Sequence, residues 1–405
     1  MARANRIEPR RFRYSSPVAA CLGHLRYSLQ NVAFLLGLLG LLLGGIGLWA
    51  PFVLFVVVIV VGNFQIGVDV SEPANPPRFL HDVLLRAALP LLLANAFVLA
   101  HYFTTGDPFH FVAGLDSLGL DFEAARASTS LGDKLFGLVA QGFYWGVAQT
   151  AAHELSHRVN SPLDLDLSDW IGALALDPAL RLHHPLCHHR YVGLRRDPGT
   201  ARRGETLYRF AIRSTIGNTL FAARAEAARL RRMKRWTVSP HNRFIAAWAI
   251  CVLYFGVFFA IAGWAGGLAF LGAAAFARLL FDSTAYVEHY GLFRLEGEAI
   301  SDRLSWDVYS FFSNTILYNA ARHADHHLHP MRHCADLKIQ PGAPRLSYAY
   351  IALVAMSFIP PLYRRVIQPH LDGWDRGLAT PAHLAYMREN DIPHAEPLVP
   401  NVLAA

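Results

Sequence analysis

Long stretches without charged residues recur along the first 277 residues of the chain. Residues 27–68 carry no charge over 42 positions. One helix of that length would extend about 63 Å, twice the thickness of the hydrocarbon core of a bilayer. The stretch must therefore be interrupted, and Gly44-Gly45 together with Pro51 predicts the break. Residues 244–277 form a second uncharged stretch, which the glycines from Gly263 to Gly267 divide in the same way.

This pattern predicts an all-α membrane protein with six transmembrane helices arranged as three hairpins. The predicted spans are residues 30–47, 51–68, 87–106, 135–152, 244–262 and 267–287. Composition agrees, since 53% of the residues are hydrophobic and 17% are charged, whereas a typical soluble domain has about 25% charged residues. The four cysteines lie far apart without a CxxC pair, which excludes a disulfide framework and a fused iron–sulfur or rubredoxin module.

The distribution of charge predicts the orientation of these spans. The first 26 residues contain six arginines and one acid, and residues 153–242 contain fifteen Lys or Arg, whereas residues 107–133 contain five acids and one arginine. By the positive-inside rule, both termini and the segments 69–86 and 153–242 face the cytoplasm, as in a multi-pass protein of a bacterial-type inner membrane. The basic face favours anionic lipid or an acidic protein as partner, and nothing supports binding to nucleic acid.

The same features divide the chain into three parts. We predict a basic cytoplasmic segment at residues 1–29, a membrane domain at 30–370 and a cytoplasmic tail at 371–405. A signal peptide is not expected, because the first apolar stretch is too long and lacks a small-residue cleavage motif.

Histidines are concentrated in three short clusters at the cytoplasmic ends of predicted spans or in cytoplasmic segments. His153 and His157 are four residues apart, which places both imidazoles on one face of a helix that continues the fourth span. The other two clusters have the patterns HxxxHH and HxxHH, and a further histidine follows the sixth span. The candidate metal ligands are His153, His157, His184, His188, His189, His289, His323, His326 and His327. Nine imidazoles are too many for one tetrahedral metal and suit two metals with open coordination positions. His183, His329 and His333 remain, and we expect outer or surface roles for them.

Two other kinds of protein share parts of this pattern. HELSH matches the HExxH motif of zinc proteases, in which the glutamate is the general base, but a protease needs one further ligand and leaves seven histidines unexplained. A metal transporter would carry its ligands near the middle of the membrane, at breaks in helices. The clusters here fall at the cytoplasmic side, which disfavours transport.

Longer strings surround the histidines. They are HELSHR, HHPLCHHRYVG followed by DPGTARRGETLYRF, AYVEHYGLFR, and RHADHHLHPMRHCADL followed by PPLYRRV. In order and spacing these strings resemble the integral-membrane alkane 1-monooxygenases, which belong to the membrane fatty-acid desaturase and hydroxylase superfamily. The resemblance implies a six-span bundle, two non-haem iron ions held by the histidines, and hydroxylation of a terminal methyl group with O₂. It also implies electrons from a separate rubredoxin or ferredoxin, reduced by an NAD(P)H-dependent enzyme.

The chain departs from the family pattern at several positions. Arg158 stands where the family usually has lysine, His183 stands where it usually has glutamate, and Asn63 and Val68 replace common acids after the second span. All nine ligand positions are kept. The departures therefore bear on substrate preference, and we keep open a desaturase or another hydroxylase of the superfamily acting on acyl chains, terpenoids or methyl-aromatics.

The implied reaction assigns roles to further residues. A terminal C–H bond is strong and offers no site for acid–base catalysis, so a redox-active metal is required and zinc is excluded. Glu154, Glu288 and Asp325 lie next to ligands in sequence, and we expect them to accept hydrogen bonds from imidazole N–H groups. Arg278 and Asp282, four residues apart within the sixth span, should form an inward-facing ion pair.

The apolar substrate should enter from the membrane lipid and extend along the spans. Phe55, in the second span, approximates the position at which the family places a bulky aromatic residue that limits chain length. A phenylalanine that faces lipid is the alternative. The basic surface of residues 190–235 would suit docking of an acidic electron carrier.

Overall fold

Helices dominate the described part of the chain, in agreement with the predicted all-α class. The computed structural model describes residues 8–395, so the outer ends of the predicted terminal segments, 1–7 and 396–405, lie outside the described residues. The first helices are α1 (Pro17–His24), α2 (Leu29–Leu43), α3 (Ala50–Ile66), α4 (Arg78–Ala100), α5 (Phe111–Ser117), α6 (Phe122–Ala127), α7 (Leu131–Val147), α8 (Gln149–Ser156) and α9 (Pro162–Ala173). They are followed by α10 (Leu180–His183), α11 (His189–Tyr191), α12 (Leu207–Arg232), α13 (Arg243–His289), α14 (Phe311–Ile316), α15 (His323–Leu328), α16 (Tyr350–Ser357), α17 (Pro360–Gly377) and α18 (Pro381–Glu389).

Each predicted span coincides with a helical segment, although the ends differ. The first corresponds to α2, which ends where Gly44 adopts a φ of 77°, a conformation that favours glycine. The third corresponds to α4, which begins already at Arg78. The predicted span follows Arg86, and within the longer helix the guanidinium of Arg86 pairs with Asp164 at 2.7 Å.

The longest helix, α13, covers the two spans predicted from residues 244 to 287. Its backbone leaves the helical region at Ala262 and Gly263, which confirms the predicted break. By length and apolar composition, three helical segments of the described residues could cross a membrane, namely Pro17–Leu43, Arg78–Phe103 and Arg243–His289, and Ala50–Ile66 is a shorter apolar helix. These helices support a membrane protein. The count of six spans and the arrangement in hairpins stay predictions.

Small residues allow α7 and α13 to pack closely at the centre of the protein. A Cβ atom added to Gly142 would lie 2.7 Å from the carbonyl oxygen of Ala273, and one added to Gly146 would lie 2.7 Å from the side chain of Leu280. Helices in membranes commonly approach each other through such glycines. The close contact fixes the end of α7, from which α8 continues with the first histidine pair, against the end of α13, which carries His289.

Contacts between distant segments join the sequence regions that were predicted to share one side of the membrane. The strands β1 (Arg10–Phe12) and β2 (Ser71–Pro73) pair in parallel, and Arg26 binds Asp69 at 2.7 Å. These contacts link the amino-terminal segment to residues 69–73. Near the carboxyl end, Arg203 pairs with Asp375 of α17 at 2.6 Å, and the domain boundary predicted at residue 370 falls inside this helix.

Candidate metal centre

The nine candidate histidines come together in two buried groups. The five-histidine group consists of His153, His157, His184, His189 and His326, and the four-histidine group consists of His188, His289, His323 and His327. Within each group one ring nitrogen per histidine lies within 4.8 Å of the others. Residues separated by more than 170 positions in the sequence thus share one site.

In the four-histidine group, the Nε2 atoms point at a common centre. Neighbouring Nε2 atoms are 3.1 Å apart between His188 and His289, 3.1 Å between His289 and His323, and 3.1 Å between His323 and His327. A tetrahedral metal with bonds of about 2.0–2.1 Å to nitrogen separates its ligand atoms by about 3.3 Å. The spacing therefore fits a metal ion, whose charge would also offset the repulsion among converging lone pairs.

The five-histidine group carries nitrogens that lack other partners. The Nε2 atoms of His153, His157 and His326 have no hydrogen-bond partner among residues 8–395, although all three are buried. The Nε2 atoms of His184 and His189 are 2.9 Å apart. Buried polar atoms without partners are costly. A metal bound by these nitrogens would remove that cost.

Helix geometry explains how neighbouring histidines serve different groups. On α15, His323 and His327 are four residues apart and face the same way. His326 is turned by about 100° from its neighbour His327 and belongs to the other group. Residues His184–His188 form a π-helical turn, and this wider turn places His184 and His189, five residues apart, in one group. His188 lies between them in sequence and points to the other group.

The surroundings favour the neutral imidazoles that metals bind. Burial, with a further contribution from neighbouring imidazoles, holds the pKa values of His184, His189, His326 and His327 well below their usual value. The neutral ring keeps one lone pair free for a metal. The electrostatics of the site and its donor set are therefore consistent with metal binding.

Ring orientation in the four-histidine group is fixed by acceptors that the sequence did not indicate. The Nδ1 atom of His188 lies 2.9 Å from a carboxylate oxygen of Asp197, and Nδ1 of His289 lies 2.9 Å from the carbonyl oxygen of Leu304. Burial raises the pKa of Asp197, but His188, Thr200 and the Gly199 N–H together bring it below its usual value. Asp197 follows the second cluster in the string RRDPGT. The contact is visible only in the structure, where the segment that carries Asp197 folds back against the ring of His188.

The three carboxylates expected to hold ligand imidazoles have different partners. Glu154 accepts hydrogen bonds from Arg158 and from the N–H of Cys334, and Asp325 accepts them from Arg332 and Gln340. These contacts correct the expected role of both, because the segments packed against Glu154 and Asp325 supply other donors to their carboxylates. Glu288 is nearer the site, with one carboxylate oxygen 3.4 Å from Nε2 of His323.

Outer or surface roles are expected for His183, His329 and His333, and all three lie outside the two groups. His183 is buried, and its Nε2 atom is 2.9 Å from a carboxylate oxygen of Asp177. His329 contacts Asp325, and His333 contacts Asp82 at 3.0 Å.

A cavity borders both histidine groups and adjoins an apolar cavity. The first is lined by His153 and His184 of one group, and by His188 and His323 of the other. The second is lined almost entirely by apolar side chains from α3, α7, α13 and α16. The two cavities share the lining residues Thr150, Phe281, Thr284 and Leu317. A chain in the apolar cavity would therefore point one end at the histidines.

Charged residues line the wall of the first cavity. Arg278 and Asp282 form the predicted inward-facing ion pair, with Nε and Oδ2 2.9 Å apart, and Arg278 also binds Asp177 at 3.0 Å. His183 completes this network through Asp177. Because each charge is paired, the network can remain buried beside the site.

Phe55 is buried in the protein interior, which excludes the alternative that it faces lipid. Its side chain is 6% exposed, and its ring centre lies 6.2 Å from that of Phe143, which lines the apolar cavity. Ile59, one turn further along α3, lines the same cavity. Phe55 thus lies behind the end of the cavity that is remote from the histidines.

The sequence is similar to known monooxygenases, which is consistent with a metal centre at this site. The chain is 29% identical to alkane 1-monooxygenase 2 of Alcanivorax borkumensis over 60% of its own length and 65% of the relative's. It is 30% identical to alkane 1-monooxygenase of Acinetobacter baylyi over 64% of each protein. The match therefore spans less than two thirds of the length of these relatives. The hydroxylase component of the xylene/toluene monooxygenase of Pseudomonas putida is 26% identical over 88% of this chain and 91% of the relative.

The comparisons confirm the resemblance inferred from the motifs and support a metal centre in a membrane oxidoreductase. The named relatives are monooxygenases, and the sequence model of the fatty acid desaturase family matches residues 134–340, which include all nine histidines. Since this match covers just over half of the chain, the protein belongs to the fatty acid desaturase family.

Proposed function

We propose that the protein is a membrane di-iron monooxygenase that hydroxylates the terminal methyl group of medium-chain alkanes or of a similar apolar chain. The reaction consumes one O₂, two electrons and two protons, and it yields a primary alcohol and water. In this proposal residues 30–370 form the membrane domain of a six-span protein of a bacterial-type inner membrane. The segments 1–29 and 371–405 then face the cytoplasm with the histidine-rich cap.

One observation carries the proposal: two separate histidine groups border a cavity that adjoins an apolar cavity between helices. A zinc protease needs one metal site and a free glutamate. Here the carboxylate of Glu154 is bound by Arg158 and by the N–H of Cys334. The desaturase-family match and the monooxygenase relatives support an oxidative reaction rather than proteolysis.

The nine histidines would hold two iron ions, five on one and four on the other. Bound there, the irons would supply the redox chemistry that activates O₂ and oxidises a C–H bond. Asp197 and the Leu304 carbonyl fix the rings of His188 and His289, so that their Nε2 atoms remain directed at the centre. The surrounding burial excludes bulk water from both groups.

The apolar cavity would orient the substrate. At the junction of the two cavities, Thr150 and Thr284 donate their hydroxyls to the backbone carbonyls of Val147 and Phe281, so neither presents an unsatisfied polar group to the chain. Ile59 and Phe143 would contact the remote part of the substrate, and Phe55 would close that end. An apolar chain of limited length then places its methyl group beside the histidines.

An electron carrier would dock on a basic pocket close to the four-histidine group. The pocket is lined by Arg195, Arg202, Arg203 and Arg294, together with Gly291 and Leu292, which lie two and three residues after His289. Of these arginines, Arg195 and Arg202 are exposed. An acidic rubredoxin or ferredoxin, reduced by an NAD(P)H-dependent enzyme, has the complementary charge.

A methyl-aromatic compound is a second candidate substrate. The alignment with the hydroxylase component of xylene/toluene monooxygenase covers 88% of this chain, a larger share than the alignments with the two alkane 1-monooxygenases described above. Both substrate classes offer a methyl group on an apolar body. The apolar lining of the cavity is compatible with either.

Metal analysis and product identification test the proposal together. We expect about two iron ions and little zinc per purified chain, because the histidines form two groups. Membranes supplied with a reduced rubredoxin and with octane, dodecane, toluene or p-xylene should form the terminal alcohol of the preferred class. Stoichiometric zinc in an active preparation would contradict the di-iron assignment. A double bond in place of a hydroxyl would instead favour the desaturase alternative.

A further inference from the structure

Helix α12 lies across the cytoplasmic ends of the fifth and sixth predicted spans. Near its start, the ring of Phe210 packs 5.6 Å from that of Tyr286, which lies at the end of the sixth span. Near its end, Glu226 binds Arg243, which begins the fifth span, at 2.8 Å. These contacts place α12 against the cytoplasmic ends of both predicted spans.

The outward face of α12 carries an apolar stripe, which Arg224 ends and Arg209 flanks. Tyr208, Ile212, Ile216 and Leu220 follow one another at intervals of four residues and are 46%, 65%, 55% and 47% exposed. The inward face, by contrast, carries the polar residues Ser214 and Asn218, which line the cavity beside the histidines. The inward face also carries the buried apolar residues Leu207, Phe210 and Leu230, so α12 presents apolar side chains on both sides, unlike a helix on the surface of a soluble protein.

The segment that follows α12 combines cations with exposed apolar side chains. Residues 231–235 include four cations, namely Arg231, Arg232, Lys234 and Arg235, all of them exposed. Met233, Trp236 and Val238 are 48%, 85% and 80% exposed. Tryptophan is enriched where membranes meet water, and clustered cations next to a membrane bind anionic lipid headgroups.

We infer that residues 207–238 form an interfacial segment that is embedded in the cytoplasmic leaflet and binds anionic lipid headgroups. The stripe Tyr208 to Leu220 lies among acyl chains, Trp236 lies at the headgroup level, and the four cations contact lipid phosphates. An acidic protein would match the cations but not the apolar stripe, whereas an anionic bilayer matches both. The inference rests on the orientation in the proposed function and is independent of the oxidation chemistry.

Quenching of site-specific labels tests this placement in the full-length protein. Cysteines replace Ile212 or Ile216 in a Cys21→Ser background, since the other three cysteines are buried. The labelled protein is reconstituted in vesicles of phosphatidylcholine and phosphatidylglycerol. We expect a quencher attached to lipid acyl chains to reduce the fluorescence of both labels about twofold, and a water-soluble nickel chelate to have little effect.

Two control positions separate failure of the inference from failure of the membrane orientation. Leu253→Cys lies in the fifth predicted span with an exposed side chain and should be quenched from the lipid, and Glu296→Cys is exposed on the cytoplasmic side and should be quenched from water. If position 253 behaves as expected while position 216 is quenched from water, the inference is wrong although the span is correct. Protection of position 216 from both quenchers would mean that protein covers the stripe, which also overturns it.

Lipid composition tests the role of the charges. A label at Trp236→Cys should gain about twofold protection from the water-soluble quencher when a third of the phosphatidylcholine is replaced by phosphatidylglycerol. Replacing Arg231, Arg232, Lys234 and Arg235 with glutamine should abolish that gain. Equal protection in neutral and anionic vesicles would overturn the headgroup assignment.

Discussion

The two histidine groups differ in what holds their rings. In the four-histidine group, Asp197 and the carbonyl oxygen of Leu304 anchor the Nδ1 atoms of His188 and His289. In the five-histidine group, the Nδ1 atom of His189 is buried without a hydrogen-bond partner among the described residues. Two rings of the four-histidine group are therefore oriented by contacts outside the group, whereas the ring of His189 depends on the helix that carries it.

The difference indicates two ways to prepare a metal site. Outer hydrogen bonds fix the tautomer and the direction of the ligands that make them. Where such a bond is absent, the helix that carries the ligand sets the direction of its ring. Helix α15 contributes to both groups, since His326 belongs to the five-histidine group and His327 to the four-histidine group.

The largest effect should come from removing one ligand of each group. His326→Ala and His327→Ala change adjacent residues of one helix, and each should lower activity at least about 100-fold, because an intact pair of metals is needed. Iron content should fall from about two per chain to about one in each variant. His329→Ala, on the same helix end but outside both groups, is the matched control and should keep both metals. Loss of both metals in either single variant would contradict two separately defined sites.

A smaller effect is expected from removing an outer hydrogen bond of the four-histidine group. Asp197→Asn keeps the size of the side chain but removes the charge facing Nδ1 of His188, and should lower metal affinity at that group about 10–100-fold. Glu154→Gln changes a buried carboxylate whose contacts are to Arg158 and Cys334, and should leave metal affinity nearly unchanged. Titration of the metal-free protein with Fe²⁺ measures both. Equal effects of the two variants would remove the distinction drawn between the groups.

The smallest effect concerns the apolar end of the cavity, away from both groups. Phe55→Ala should extend the accepted chain, because it frees space behind Ile59 and Phe143. Each additional buried CH₂ contributes about 0.8 kcal/mol, which is a roughly fourfold preference per carbon until the new end is reached. Competition among octane, dodecane and hexadecane, measured as terminal alcohol, compares the variant with the wild type. An unchanged product profile would mean that Phe55 only packs against its neighbours.

Much of the fold could be predicted because membranes restrict the possibilities. Uncharged stretches of fixed length and the glycines at 44 and 263 indicated the helices and both breaks. The helix α4 extends before the third predicted span to Arg78, and only the contact with Asp164 shows how the charge of Arg86 is accommodated within it. Such long-range pairs leave no local signal in the sequence.

The sequence by itself determined which residue types meet at the site. The patterns HxxxH, HxxxHH and HxxHH, repeated on one side of the predicted membrane, indicated nine histidines for two metals, and all nine converge. Spacing along a helix fixes which side chains share a face, so His153 with His157 could be paired from the sequence alone.

Only the tertiary structure decided how the nine are divided and what surrounds them. At the π-helical turn, His188 and His189 point to different groups. On α15, the angle of about 100° between adjacent residues directs His326 and His327 to different groups. The partners of Glu154, Asp325 and Asp197 depend on segments that lie far apart in the chain or fold back over the rings. Sequence spacing specifies directions within one helix, whereas the meeting of separate helices depends on packing across the whole protein.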